Sequence, residues 1–284
     1  MTLEDLQNYY TKNRSTQNLK SYASEIEPNI TLEEMDVIAN SIIDKYPDLY
    51  NLTDTDIETI QNDFNGINEI TISENIELID SFYNALIRFE FVDTLSKYTP
   101  SKLKSYSDYF GYDVSSAEFW ALVWHPRLVN STMKATNKTI ELTGNKFPNQ
   151  GAWRNKADAF RHAIWNALIA KYVGDQKNSI DKCIEWAKLF TDKHEEGSVK
   201  PADMTDEDFE FDHAMDYQNN KIGRDYFKSV AWTEKKCWLC STVVLAPSDE
   251  TISDAIYNKT TVAKKVASKS EINSFPNYLV YIKD

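Results

Sequence analysis

Between Asn155 and Val173 the chain is helical in period, yet neither side of that helix suits water. At about 100° per residue, Phe160, Ala163, Ile164, Ala167 and Lys171 fall on one side. Asp158, His162, Trp165 and Ile169 fall on the opposite side, flanked by Arg161 and Asn166. A face that mixes Trp and Ile with Asp and His is not a solvated face, so the helix is buried on both sides. Its ionisable groups then need partners or a purpose. With only 7 glycines and 8 prolines in 284 residues, tight β-turns are hard to supply, and the layers around this helix must be helices too.

Helix starts are marked by capping boxes, in which a Ser or Thr and an acidic residue three positions on satisfy each other's free amides. Thr31-Leu-Glu-Glu34 opens a helix to about Tyr46, stopped by Pro47, and Thr55-Asp-Ile-Glu58 opens another that ends near Gly66. Roughly Glu74 to Lys97 reads as one long helix with Ile76, Leu78, Ile79, Phe82, Ala85, Leu86 and Phe89 at core spacing. Ser101 to Tyr109 reads as a short helix closed by Gly111, and Ser115-Ser-Ala-Glu118 opens the next. A helix from about Leu128 to Leu142 follows, with Gly144 as its left-handed C′ residue. Asn13–Asn18, Glu25–Pro28 and Asn145–Gly151 read as loops. Strand alternation is confined to Trp238–Ala246 and Tyr278–Ile282. The fold class expected is mainly α, a multi-helix bundle with a minor C-terminal β element.

Charge divides the chain. Residues 1–120 hold 8 Lys/Arg against 22 Asp/Glu, and residues 121–284 hold 23 against 22, so the first part carries the excess behind the net −13. Two domains are expected: an acidic helical one over 1–112, whose charge serves solubility or, as an adaptor, docks a basic protein partner, and a helical one over 113–284 that carries the polar site. An acidic surface repels phosphate backbones, which excludes sequence-independent nucleic-acid binding. No run of 18 apolar residues exists, so no transmembrane segment is expected. The first ten residues show neither a basic nor an apolar signal region, and the expectation is a cytoplasmic chain, exported if at all by a specialised secretion system. Cys183 and the single Cys237-Trp-Leu-Cys240 motif form no disulfide framework; they are expected as reduced, buried packing thiols.

Three polar clusters share the stretch from Ala157 to Arg224. In the first, Asp158 and His162 are four apart, so the carboxylate can take a proton from one imidazole nitrogen and turn the other outward, for a metal or for proton transfer. In the second, Ile180, Cys183, Ala187 and Phe190 form an apolar seam whose next step lands on His194, with Glu195 about 100° round. Ser198 stands where a zinc-protease HExxH would need its second His. In the third, Asp216, Asn219, Asn220 and Gly223 share one stripe, with Arg224 beside Asn220. Gly223 inside a helix costs about 1 kcal/mol against Ala, which implies close approach by another backbone or a ligand.

Asp158-Ala-Phe-Arg161-His162-Ala-x-Trp165-Asn166-Ala, His194-Glu195 and Met215-Asp216-x-x-Asn219-Asn220-x-x-Gly223-Arg224 together resemble a bacterial domain family of unknown function. The resemblance spans about residues 130–245. Members of that family occur in secreted, surface and toxin-like proteins, and they carry His where this chain has Gln218. The resemblance implies a helical domain with a shared polar centre, and by analogy a toxin-like effector acting on cell-envelope material, lipid or peptidoglycan.

The residues themselves predict a hydrolase. His162, His194 and Asp216 are expected to hold one divalent ion, zinc first, while Asp158 orients His162 and Glu195 serves as acid and base. Arg161, Asn166, Asn219, Asn220 and Arg224 are expected to bind the substrate or stabilise an oxyanion. A metal-free His/Asp mechanism on an ester or amide is the second chemistry. The competing expectation is non-enzymatic, with a polar network that only holds helices together and an acidic N-terminal part that binds a partner.

Overall fold

The computed structural model describes residues 1–12, 32–97 and 115–284, and it is mainly helical. In chain order the helices are α1 (Leu3–Lys12), α2 (Leu32–Ile43), α3 (Asp54–Asp63), α4 (Glu69–Glu74), α5 (Ile76–Lys97), α6 (Ser116–Val123), α7 (Val129–Lys146), α8 (Lys156–Tyr172), α9 (Ile180–Gly197), α10 (Asp206–Val230), α11 (Asp249–Thr261) and α12 (Lys269–Ile272). Strand β1 (Trp232–Lys235) pairs with β2 (Thr242–Leu245), and β3 (Lys264–Lys265) runs parallel to β4 (Val280–Tyr281). No helix among the described residues is long and apolar enough to cross a membrane. The chain divides into two compact units. Unit 1 comprises 1–113, 122–130 and 234–243; unit 2 comprises 114–121, 131–233 and 244–284.

In unit 1, Leu6, Leu49, Ile60, Phe64, Ile72, Ile76, Ile79 and Tyr83 form one apolar cluster. The buried face of α5 differs from the expected one. Ile79, Tyr83, Ile87, Phe91 and Leu95, each four apart, are buried, whereas Leu86 and Phe89 are exposed. Tyr83 goes inside because its hydroxyl donates to Asp63 Oδ2 at 2.8 Å, which removes the cost of burying it. The helix also starts later than expected, since Asn75 breaks it from α4. The cap of α3 is Thr53, whose hydroxyl and amide exchange bonds with Asp56, rather than Thr55. The loop, helix and cap expected at Asn13–Asn18, Glu25–Pro28, Ser101–Tyr109 and Thr31 lie outside the described residues.

One expectation about cysteine is overturned in this unit. Cys237 and Cys240 are joined as a disulfide rather than held as reduced thiols. The turn between β1 and β2 brings their Cα atoms to 5.0 Å, inside the range a disulfide spans. Cys183, in unit 2, is free and buried.

Unit 2 is built around α8. Every residue from Ala157 to Ala170 except Arg161 is buried, so the two-sided burial read from the sequence holds. Helices α9, α10 and α11 pack on it. Gly223 makes the α8–α10 crossing possible: a Cβ there would sit 1.9 Å from Ala163 O. Gly174 plays the same part against Val244 O, at 2.1 Å. Gly144 does not act as a left-handed C′ residue. Helix α7 continues through it to Lys146, and its φ is not positive.

Candidate functional site

Asn155 caps α8, its side chain accepting from the amide of Asp158 at 3.0 Å, and so fixes the register of the whole first cluster. One turn on, His162 is buried against α10. Its Nδ1 lies 3.2 Å from Asn220 Oδ1, and that oxygen also accepts from Asn166 Nδ2 at 2.7 Å. Asn220 Nδ2 donates in turn to Glu195 Oε1 at 3.3 Å. The amide orientation is therefore set by its partners: Oδ1 is an acceptor, so Nδ1 must carry the imidazole proton.

Nε2 is then the lone-pair nitrogen, and it faces two carboxylates. Asp216 Oδ1 is 3.2 Å away and Asp158 Oδ1 is 3.6 Å away. Asp216 Oδ1 is buried and accepts no hydrogen bond. Asp158, His162 and Asp216 each offer a ligand atom within 4.8 Å of the others, and all three residues are buried. A tetrahedral ion with bonds of about 2.0–2.1 Å holds neighbouring ligand atoms about 3.3 Å apart, which the two distances from Nε2 match.

Electrostatics reinforce that geometry. Burial, then the charges of Glu195 and Asp158, raise the Asp216 carboxyl well above the carboxylate range. Burial raises Asp158 as well, against Arg161 and the Arg154 amide, and pushes Glu195 up to about 7. Burial, then the positive charges of Arg161 and His194, hold His162 well below the ordinary histidine range and keep it neutral. Three buried carboxyls stand against the nearby Arg161 guanidinium, which leaves two negative charges when all three are ionised. That is the charge a divalent cation would balance.

Arg161 is the part-exposed member, with its side chain 42% exposed. Its Nη2 donates to Asp158 Oδ1 at 2.7 Å and lies 3.2 Å from His162 Nε2, while its Nε is buried with no acceptor.

Several residues stand elsewhere than the sequence implies. Asp158 is on the lone-pair side of His162 and does not orient it; Asn220, reaching across from α10, draws Nδ1 away and takes that role. Glu195 is on the Nδ1 side too, with Oε1 at 3.6 Å, behind the ring rather than among the ligand atoms. His194 is outside the ligand group. Its Nδ1 pairs with Glu118 Oε1 at 3.2 Å and its ring meets Trp165 edge to face at 5.1 Å. Burial opposes its charging, but the Glu118 bond and charge outweigh that and raise its pKa.

Asn166 is fully buried. It donates to His162 O and Asn220 Oδ1 and accepts from Arg224 Nη1 at 2.6 Å, so both residues brace the site from behind instead of facing a substrate. Asn219 does not face the cluster. Its side chain accepts from Val280 N and donates to Val280 O, bonding β4 as a neighbouring strand would. Gln218 likewise donates to Phe275 O and Tyr278 O.

Sequence reasoning missed the role of Glu118. Its signal was its place in the capping box with Ser115, which the structure retains through Oε2 while Oε1 meets His194.

Fold and site together define a mainly α domain whose interior gathers an Asp–His–Asp group suited to a cation. Residues 119–264 match the family described as a domain of unknown function, DUF6973, and the chain belongs to that family. The matched span includes all three polar clusters. Comparison with curated proteins and with solved structures finds no match.

Proposed function

We propose that unit 2 is a divalent-cation-dependent hydrolase whose ion is held by Asp158, His162 and Asp216. The observation that carries this reading is the lone pair of His162 Nε2, turned by Asn220 toward carboxylate oxygens at 3.2 and 3.6 Å. One imidazole and two carboxylates suit zinc or manganese, and three protein ligands leave a position for water. Such an ion lowers the pKa of bound water and polarises a carbonyl or phosphoryl oxygen. Asn220 and Glu195 support the imidazole from its Nδ1 side, an arrangement that raises ligand basicity. Arg161, part-exposed beside Asp158, would supply its guanidinium to the oxyanion of an anionic or carbonyl substrate. Cell-envelope lipid or peptidoglycan, the class expected by resemblance, sets the substrates to test. Unit 1, which holds most of the acidic excess, is the part that docks a basic protein partner.

A second reading has its own observation: Arg161 already contacts both Nε2 and Asp158, which closes the cluster with a guanidinium and makes it a packing network. Metal stoichiometry after dialysis against zinc or manganese separates the two. The hydrolase reading expects one ion per chain, none in Asp216→Asn or His162→Gln with helicity retained, and chelator-sensitive cleavage within a panel of ester, amide and phosphodiester substrates. A wild-type protein that binds no ion, with Asp216→Asn more stable than the parent, leaves only the packing network.

A further inference from the structure

The residue before the cap of α8 holds the backbone in an unusual state. Arg154 has φ 59°, in the left-handed region, although it has a side chain. Such a residue persists only where its surroundings over-determine it. Here they do. The guanidinium donates to Asp212 Oδ1 and Asp208 O, both on α10, at 2.8 Å each. The Arg154 carbonyl accepts from the amides of Ile282 and Lys283, also at 2.8 Å each. Those two residues follow β4, which Asn219 bonds to α10 through Val280.

What the strain achieves is visible at Asp158. In a capping box the carboxylate at the third helical position returns to the amide of the cap residue itself. Asp158 occupies that third position after Asn155, but its Oδ2 accepts from the amide one residue earlier, Arg154 N, at 2.6 Å. This leaves Oδ1 on the side of His162 Nε2 and Arg161.

We propose that Arg154 is the positioning residue for Asp158, and that the C-terminal segment 280–283 sets the cation-site geometry by clamping it. The proposal rests on the reading of Asp158, His162 and Asp216 as a cation site. It makes the last residues of the chain part of the site's machinery, though none of them touches the ion. Backbone amides aimed at a ligating carboxylate act as other outer partners do, and their loss costs about 10–100-fold in metal affinity.

The test uses the full chain carrying Ile282→Pro with Lys283→Pro, which removes both donors to the Arg154 carbonyl, and separately Arg154→Gly. The glycine keeps the amide and relaxes the left-handed backbone while losing the guanidinium ties. Two readouts are taken: the backbone amide proton shift at position 154 in the metal-free protein, and zinc affinity by calorimetry. The expected result is a wild-type amide shifted far downfield by its short bond to Asp158 Oδ2. In the double proline variant that shift is lost and zinc affinity falls about 10–100-fold with helicity intact. Arg154→Gly falls by less, since the Ile282 and Lys283 amides still hold the carbonyl at position 154. A double variant that keeps the downfield amide overturns the proposal, as does one that loses it yet binds zinc like the parent. If the wild type binds no zinc, the hydrolase reading fails by itself, and the amide shift alone then upholds or overturns the clamp.

Discussion

Replacing Gly223 with Ala tests whether the α8–α10 crossing holds the site together. The added Cβ would lie 1.9 Å from Ala163 O and 2.7 Å from its carbonyl carbon, against a floor of 3.0 Å for real contacts. Both partners are backbone, so no rotamer change relieves the clash, and the helices must part by ~1 Å. Overpacking of this kind costs up to about 3 kcal/mol. Alanine recovers about 1 kcal/mol of helix propensity, for a net loss of ~2 kcal/mol. In a domain of this size that lowers Tm by about 4–8 °C. The same movement carries Asn220 and Asp216 away from His162, so cation affinity falls with stability. Calorimetry on Gly223→Ala, paired with a zinc titration, reads both. An unchanged or raised Tm refutes the crossing argument, and a lowered Tm with unchanged affinity refutes its link to the site.

Asn219→Ala orphans the buried amide and carbonyl of Val280, and urea melts should show a loss of about 1–3 kcal/mol per group. A loss under half that for one group refutes the strand-like role of Asn219. The His194 pKa is raised in the folded state, so the stability it confers is full below about pH 6.5 and is lost as pH rises through the raised value. Tm should fall across that window and flatten in Glu118→Gln; an equal slope in both proteins sinks the pairing. Burial pushes the Cys183 thiol up to about 12, whereas the unfolded thiol ionises near ~8.5. The unfolded state therefore loses its proton first, and stability falls between about pH 8.5 and 10 by at most ~1.4 kcal/mol per pH unit. Cys183→Ala should remove that slope, and its persistence would assign it to other groups.

Much of this was legible because α8 and α10 are long and periodic. The two-sided burial of α8 and the close approach at Gly223 follow from spacing along a helix; the meeting of Asp158 and His162 with Asp216 of another helix does not, and the expected ligand set held His194 in place of Asp158. Spacing says which face a residue occupies, but not which atom of its side chain faces which neighbour. Hence the roles around His162 come out reversed: only the position of Asn220 on another helix decides which nitrogen keeps the proton. His194 sits on the expected apolar seam, yet Glu118, 76 residues earlier, captures it. Arg154 carries no sequence signal at all, because nothing in an Arg announces a left-handed backbone or a carbonyl shared by Ile282 and Lys283. Asn219 and Asn220 look alike in sequence and face opposite ways, one toward β4 and one toward the site.

X-ray absorption at the zinc edge of the loaded protein tests the central claim most directly, because it counts imidazoles around the ion. The account predicts a single imidazole nitrogen with the remaining ligands oxygen, at about 2.0–2.2 Å, and loss of the bound ion in Asp216→Asn. Two imidazoles, a sulfur ligand, or a protein that takes up no ion would contradict it.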